Sequence, residues 1–315
     1  MKTDESKIKS DQGTPVSVFG GDGMGGEFVA QDLASDSVGP FTFNGSRMFL
    51  GGLCLIPVGW IKNRGKLFGS VPTKADKKNL VLGGVVCGTV VFFAAYLQQL
   101  GIQLGTSAGK SGFITAMYVI LVPLVGIFFR KKLRPAIWLC VLCAAVGMYF
   151  LCMADFSAGF SGLIRSLSME IGDLATFGCS ICFTFHILAI DHFAPKTDGV
   201  FLSSVQFLFA GSLGLLAMFL FEAPTLEGIL AAGGAILYAA VFSCGIGYTF
   251  QILGQTSTPP VIASIIMCLE SVFAVLSDTI FLKTPMSLEE ILGCVFMFVA
   301  IISSNLVDLI PQKKK

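Results

Sequence analysis

Long uncharged stretches separated by short charged ones set the pattern of this chain. No Asp, Glu, Lys or Arg occurs in 80–109, 111–129, 135–154, 174–190 or 199–221. The uncharged run 228–269 is long enough for two helices around a turn at 254–260. Roughly 20 apolar residues, rising about 1.5 Å each, cross a hydrocarbon layer about 30 Å thick. Backbone N–H and C=O groups in lipid find no water, so each run must satisfy its hydrogen bonds internally as a helix. The pattern predicts helices near 41–60, 80–102, 108–129, 135–153, 171–190, 199–221, 228–253, 259–282 and 290–308. Pro135 and the pair Pro259-Pro260 fall at predicted helix starts, where the first turn has no N–H partner to lose.

Composition agrees. Hydrophobic residues make up 54% of the 315 and charged residues 13%, against roughly 25% charged in soluble domains. Those few charges cannot coat a water-soluble globule of this size. The expectation is an all-α integral membrane protein in contact with the lipid bilayer. A formal net charge of +1 gives no footing for nucleic acid. The ten cysteines lie almost wholly inside the apolar runs, where Cys serves as a small hydrophobe. Cys140-x-x-Cys143 and Cys179-x-x-Cys182 have metal-like spacing but no second pair of ligands within reach by sequence. Cys182 and His186, four residues apart on one helix face, are the one combination worth locating. No metal and no cofactor is expected.

Charge between the runs orients the chain. Lys62, Arg64, Lys66, Lys74, Lys77 and Lys78 follow the first of these helices; Arg130, Lys131, Lys132 and Arg134 follow the third; Lys313-Lys314-Lys315 close the sequence. The alternate loops 103–107, 154–170 and 222–227 are nearly free of positive charge. By the positive-inside rule the basic clusters are cytoplasmic, which puts residue 40 outside and the C-terminus inside. Segment 16–33 is a degenerate tenth span: Gly20, Gly21, Asp22, Gly23, Gly25, Gly26 and Glu27 make a poor helix and a poor membrane crossing. The polar N-terminal segment also lacks the apolar core of a cleavable signal peptide.

The two halves resemble each other. Tyr96-x-x-Gln99-x-x-x-Gln103 recurs as Tyr248-x-x-Gln251-x-x-x-Gln255, a displacement of 152, and a displacement of 159 lays Arg47 on Gln206 and Gly52 on Gly211. With an odd number of helices per copy, the second copy enters the membrane upside down. The organisation expected is a polar tail 1–15, a first five-helix repeat 16–153, a linker 154–170, an inverted second repeat 171–309 and a basic tail 310–315. Inverted repeats place a solute site near the bilayer midplane, where the copies meet.

Particular residues carry a family likeness. They are Phe28-Val29-Ala30-Gln31, the stretch Val38 to Asn44 followed by Arg47, Ala108 to Thr115 running on to Val122-Pro123, and His186 to Asp191. In the second half they are Gly247-Tyr248 to Gln251 and Ser264 to Ala274. On these segments the chain resembles the EamA-type members of the drug/metabolite transporter superfamily, over nearly everything from residue 28 onward. The resemblance implies a ten-helix, two-repeat permease, often an exporter of amino acids or related metabolites. Two places depart from it: Phe19-Gly20-Gly21-Asp22 stands where the family has a long apolar run with Trp-Gly, and Lys283-Thr284 where it often has Gly-Glu.

Polar residues inside the apolar runs are the candidates for chemistry. Glu270 falls near the middle of the 259–282 run, where a carboxylate is costly unless it faces a cavity or partner; it is the candidate for proton coupling. Arg47, two turns into its helix, either neutralises a carboxylate solute or pairs with a buried group. Lys110 stands at a helix start, where plain solvation competes with solute contact. Tyr96, Gln99, Tyr248 and Gln251 offer neutral hydrogen bonds at matching places in both halves, as lining of a solute path or as interhelical packing. The segment Gly105 to Ser111 imitates a phosphate-binding loop, but three residues separate its glycines where that loop needs four, and it opens a membrane helix. Transport would therefore draw on a gradient, by alternating access, with a small-molecule substrate and protons as partners; a homodimer is compatible. A membrane-embedded enzyme is the less favoured class, because the two histidines, His186 and His192, lack partners at ligand spacing. A scaffold or decayed, non-transporting family member is the remaining alternative, raised by Asp22 and Glu27.

Overall fold

The computed structural model describes residues 31, 34–35, 37–63, 74–128, 134–153, 170–277, 279 and 285–309. The degenerate first span apart from Gln31, most of the basic loops and Asp278 lie outside them. Among the described residues the structure is helical, without strands. The elements are α1 (Pro40–Lys62), α2 (Lys74–Gln103), α3 (Ala108–Ala116), α4 (Tyr118–Phe128), α5 (Pro135–Cys152) and α6 (Ile171–Phe193). They continue as α7 (Gly199–Phe221), α8 (Leu226–Ala231), α9 (Gly233–Tyr238), a π-helical stretch Ala239–Gly247, α10 (Tyr248–Gln255), α11 (Pro260–Met267), α12 (Leu269–Ser277) and α13 (Leu288–Leu309).

Among the described residues seven helical stretches are long and apolar enough to cross a membrane: Asp76–Gln103, Gly109–Phe128, Pro135–Cys152, Ile171–Lys196, Gly199–Phe221, Gly233–Gln255 and Leu288–Val307. Many large apolar side chains stand exposed. Phe128 is 86% exposed, Phe219 77% and Phe221 74%, a distribution that a water-facing protein would not sustain and a lipid-facing one requires. The sequence reading differs at three places. The predicted rods 108–129 and 259–282 are each broken mid-way, at Met117 and at Cys268, and the predicted rod 228–253 is broken at Ala232 and wound as a π-helix over Ala239–Gly247.

Helix starts follow local chemistry. Ser107 Oγ accepts from Lys110 N at 3.4 Å before α3, and Asp198 Oδ1 accepts from Val200 N and Phe201 N before α7. Ser287 and Glu290 exchange bonds across the first turn of α13, a capping box that satisfies two orphan donors at once. Pro40 opens α1 without a side-chain cap of its own.

Helices α1 and α7 are each 23 residues long and offset by 159 in sequence. They pack antiparallel with backbones in contact. A Cβ on Gly45 would lie 2.7 Å from the Gly214 carbonyl carbon, one on Gly52 would lie 2.7 Å from Leu208 N, and one on Gly211 would strike Phe49 N. Only glycine lets two backbones approach so closely. Other main pairings are α2 with α6, antiparallel through Gly101, Thr176 and Gly172; α2 with α7, parallel through Gly84 and Val205; and α5 with α13, antiparallel through Gly147 and Gly293. The buried core runs between the halves, with Val91, Val119 and Val141 from the first meeting Phe183, Phe207, Ile265 and Met297 from the second.

Candidate functional site

Three polar clusters lie among the apolar helices. The first surrounds Arg47, seven residues along α1 and fully buried. Its Nε donates to Asn44 Oδ1 at 2.8 Å, and its guanidinium carbon sits 5.3 Å from the Phe43 ring centroid. Asn44 Nδ2 in turn donates to the carbonyls of Pro40 (3.0 Å) and Ala95 (3.1 Å). Beside it runs a buried amide chain, in which Gln31 Nε2 donates to Gln98 Oε1 at 2.9 Å and Gln98 Nε2 to Thr115 Oγ1 at 3.1 Å. Gln99 Nε2 donates to the Gln31 carbonyl at 2.9 Å.

The second cluster sits at the two helix breaks. Tyr118 is the first residue of α4, after the break at Met117, and Glu270 lies in the first turn of α12, after the break at Cys268. The Cys268 thiol donates to the Tyr118 hydroxyl at 3.9 Å, and Glu270 and Tyr248 are within electrostatic reach of that hydroxyl. Tyr118 and Glu270 are 152 apart in sequence, the displacement that relates the Tyr/Gln motifs. Glu270 is half-buried, and the break brings it to a helix start rather than the centre of a straight rod.

The third cluster brings together His186, Gln206 and Tyr248, each seven positions in from an end of α6, α7 or α10. His186 and Gln206 are both fully buried, and His186 Nε2 lies 3.2 Å from Gln206 Oε1. Tyr248 packs against Phe183, His186 and Phe207 with centroid separations of 6.4, 5.9 and 5.2 Å. His186 therefore engages Gln206, its neighbour across the helices, and not Cys182 on its own helix. Among the described residues no group of three or more His, Cys, Asp or Glu is placed to hold a metal ion.

The sequence-selected residues do not all converge. Arg47 and Gln99 lie in the first cluster, Glu270 in the second and Tyr248 in the third. Gln251 is half-buried one turn along α10, its Nε2 without a hydrogen-bond partner. Tyr96 stacks on Phe41 at 4.3 Å and lines an open groove of ≈ 300 Å³ with Phe92, Phe93, Leu213 and Phe221. Lys110 is not a solvated anchor: its Nζ lies 2.5 Å from Oδ2 of Asp173, which is 1% exposed. Asp173 also accepts from Thr106 Oγ1 at 3.0 Å and from Glu170 N at 2.8 Å. Sequence reasoning passed over Gln98, Tyr118 and this use of Asp173. Gln98 has Phe250 at the matching place, so a search for recurring residues misses it. For Tyr118 the same displacement that exposed the Tyr/Gln motifs was the available signal.

Comparison with known proteins bears on the whole length. The sequence profile of the EamA-like transporter family matches twice, over residues 19–153 and 170–306. A protein of Archaeoglobus fulgidus described as an uncharacterized transporter is 26% identical over 294 residues, covering 90% of this chain and 82% of that one. A crystal structure of a protein given no fuller description superposes with a TM-score of 0.68 at 16% identity, over 90% of this chain and 96% of that one. At that identity the likeness concerns the fold alone.

Proposed function

The chain belongs to the EamA-like transporter family, and from that premise we propose that it is a secondary-active exporter of a small metabolite of the amino-acid class. It works by alternating access between two inverted five-helix repeats, in a bacterial plasma membrane with its C-terminus cytoplasmic. The observation that carries this reading is the crossing of α1 and α7. Each residue of α1 has its repeat counterpart 159 places on in α7, and the contacts exchange under that displacement: Gly52 meets Leu208, while Gly211 meets Phe49. Two antiparallel helices related in this way have their two-fold axis across the helices, in the membrane plane, which is the symmetry of an inverted repeat. The counterpart helices α3–α4 and α11–α12 add to this, both broken mid-way, at Met117 and Cys268.

In this scheme Glu270 carries the proton. A carboxyl at a mid-membrane helix break can exchange protons with either side as the repeats rock, and a neutral carboxyl is the cheaper form in lipid. Arg47, Gln99, Tyr248 and Gln251 line the path. Tyr96, stacked in an apolar groove, and Lys110, bound to Asp173, serve the frame around it.

The test is flux in proteoliposomes loaded with a pH-sensitive dye and challenged with a panel of amino acids. A solute-dependent pH change that Glu270→Gln abolishes is the expected result. Transport persisting unchanged in Glu270→Gln removes the coupling role. No flux for any amino acid, from protein shown to be folded, overturns the exporter reading.

A further inference from the structure

The recurring glutamines are bonded in one copy and idle in the other. On α2, Gln99 Nε2 donates to the Gln31 carbonyl at 2.9 Å. One turn on, Gln103 Nε2 donates to the carbonyls of Ser35 at 3.4 Å and Val38 at 3.2 Å. These rungs tie the end of α2 to the link that leads into α1. On α10, Gln251 Nε2 and both amide atoms of Gln255 are buried, with no hydrogen-bond partner among the described residues. Turning the Gln255 amide over changes nothing, because its oxygen is as idle as its nitrogen. Buried amides are rarely left so.

The matching acceptors stand close by. Carried back from α1, the displacement of 159 lays Asp32 on Asp191, Gln31 on Ile190, Ser35 on Ala194 and Val38 on Thr197. The last turns of α10 already pack against that second link. Buried Ile252 shares a cluster with Ile190, Phe193 and Ala194, and a Cβ on Gly199 would lie 2.8 Å from Leu253 Cδ2. The Ile190 carbonyl accepts from Ala194 N and the Ala194 carbonyl from Thr197 N, and a carbonyl oxygen has a second lone pair to offer.

The copies also differ in winding. Helix α2 is α-helical without interruption from Lys74 to Gln103, whereas α10 follows directly on the nine-residue π-helical stretch Ala239–Gly247. π-Helical bonds close one residue later than α-helical ones, are confined in most proteins to a single turn, and gather at functional sites. Here they set the rotation at which Gln251 and Gln255 meet the link before α7.

Resting on the alternating-access reading, we propose that the four glutamines form a two-position latch. In this structure the α2 latch is closed and the α10 latch open. In the opposite state Ala239–Gly247 rewinds as α-helix, Gln251 and Gln255 seat on the Ile190, Ala194 and Thr197 carbonyls, and Gln99 and Gln103 let go. Because α1 and α7 run antiparallel, the links that precede them lie at opposite ends of the molecule, and inverted repeats exchange such conformations as access alternates. Neutral amide bonds are broken at one end as like bonds form at the other. The two states therefore stay close in energy, as a bistable element requires.

Hydrogen exchange of full-length protein in detergent micelles, read by mass spectrometry, tests the latch. Peptides over 31–42 and 190–200 report its two ends, and the better protected of them in the native protein is followed. There Gln99→Leu and Gln255→Leu are expected to act with opposite signs. The change in that segment's own latch speeds exchange and the change at the far end slows it, each by roughly threefold, the population shift that one neutral hydrogen bond sets. The double variant is expected to return near the native rate. Should either variant not fold, Gln103→Leu or Gln251→Leu takes its place on the same latch. A far-end change that leaves the followed segment unaltered, or speeds it, makes the glutamines local packing and overturns the latch. Flux of the native protein keeps the two readings apart. Amino-acid transport with purely local effects of both variants sinks the latch and leaves the exporter, whereas a far-end response without flux for any amino acid does the reverse.

Discussion

The two ends of the α1–α7 pair are tied in different ways by residues that occupy matching positions. Gly39 and Asp198 precede the two helices, and Asn63 and Glu222 follow them, each pair 159 apart. Asp198 caps its own helix, and reaches α1 only through Asn63 Nδ2 at 3.4 Å and a Lys62 ammonium at 3.5 Å that is 47% exposed. Gly39 has no side chain to cap α1, so α1 borrows one. The Glu222 carboxylate accepts from Phe41 N and Thr42 N, both at 2.8 Å, and from Thr42 Oγ1 at 2.5 Å. A cap supplied by the helix's own residue stabilises that helix; a borrowed cap also binds two helices together. The Lys110–Asp173 pair lies at the same end as Glu222, joining α3 to α6. The α1–α7 frame thus carries a part-buried borrowed cap and a buried ion-paired carboxylate at one end and a loose, half-exposed pair at the other.

Asp173→Ala gives the sharpest break. It removes the carboxylate paired with the Lys110 ammonium, which is 19% exposed, and is expected to cost about 2–4 kcal/mol, somewhat below the loss for a wholly buried pair; a fall in the thermal midpoint in detergent measures it. Glu222→Ala removes three bonds from the start of α1 and is expected to cost about 1–2 kcal/mol, the upper range for a lost cap. Faster hydrogen exchange at the Phe41 and Thr42 amides would show that the loss is local. The double change Gly39→Asp with Glu222→Asn transplants the geometry of one end onto the other. A Cβ at position 39 would strike the Glu222 carboxyl, so both changes are needed. Amide protection at 41–42 should return while the thermal midpoint stays below that of the parent, because the cap is restored and the tie is not. Lys62→Ala is expected to shift stability by no more than about 0.5 kcal/mol, as exposed pairs do. A loss there equal to that of Glu222→Ala would erase the distinction between the ends.

Much of this frame is legible in the sequence, and the reason is lipid. Charges are excluded from the spans, so α1, read as 41–60, runs Pro40–Lys62, and α7 runs Gly199–Phe221 as read. The breaks at Met117 and Cys268 are not legible, because neither carries the Pro or Gly that announces an interruption; Pro123 lies within α4, past its break. Contacts between distant elements are also hidden. Asp173 looks like an ordinary first-turn acid until α3 sets Lys110 against it, and Glu222 looks like a loop residue until α1 arrives 180 positions away. The Tyr/Gln recurrence falls on α2 and α10, yet the two tyrosines diverge, Tyr96 toward an apolar groove and Tyr248 toward His186. Recurrence marks where the duplicated scaffold repeats and says little about what each copy has since been used for.

The glycine crossing of α1 and α7 has a mechanical consequence. Contacts such as Gly45 with Gly214 and Gly59 with Phe201 centre on Gly52, twelve residues from the start of α1 and ten from its end. The pair is therefore a balance beam with arms of about 15 and 18 Å. While each helix moves as one body about that pivot, any spread gained at one tip is surrendered at the other. On the alternating-access scheme proposed above, a passage open at both ends at once would require the pivot to come apart, so the crossing would guard against leak without any gate being built for the purpose.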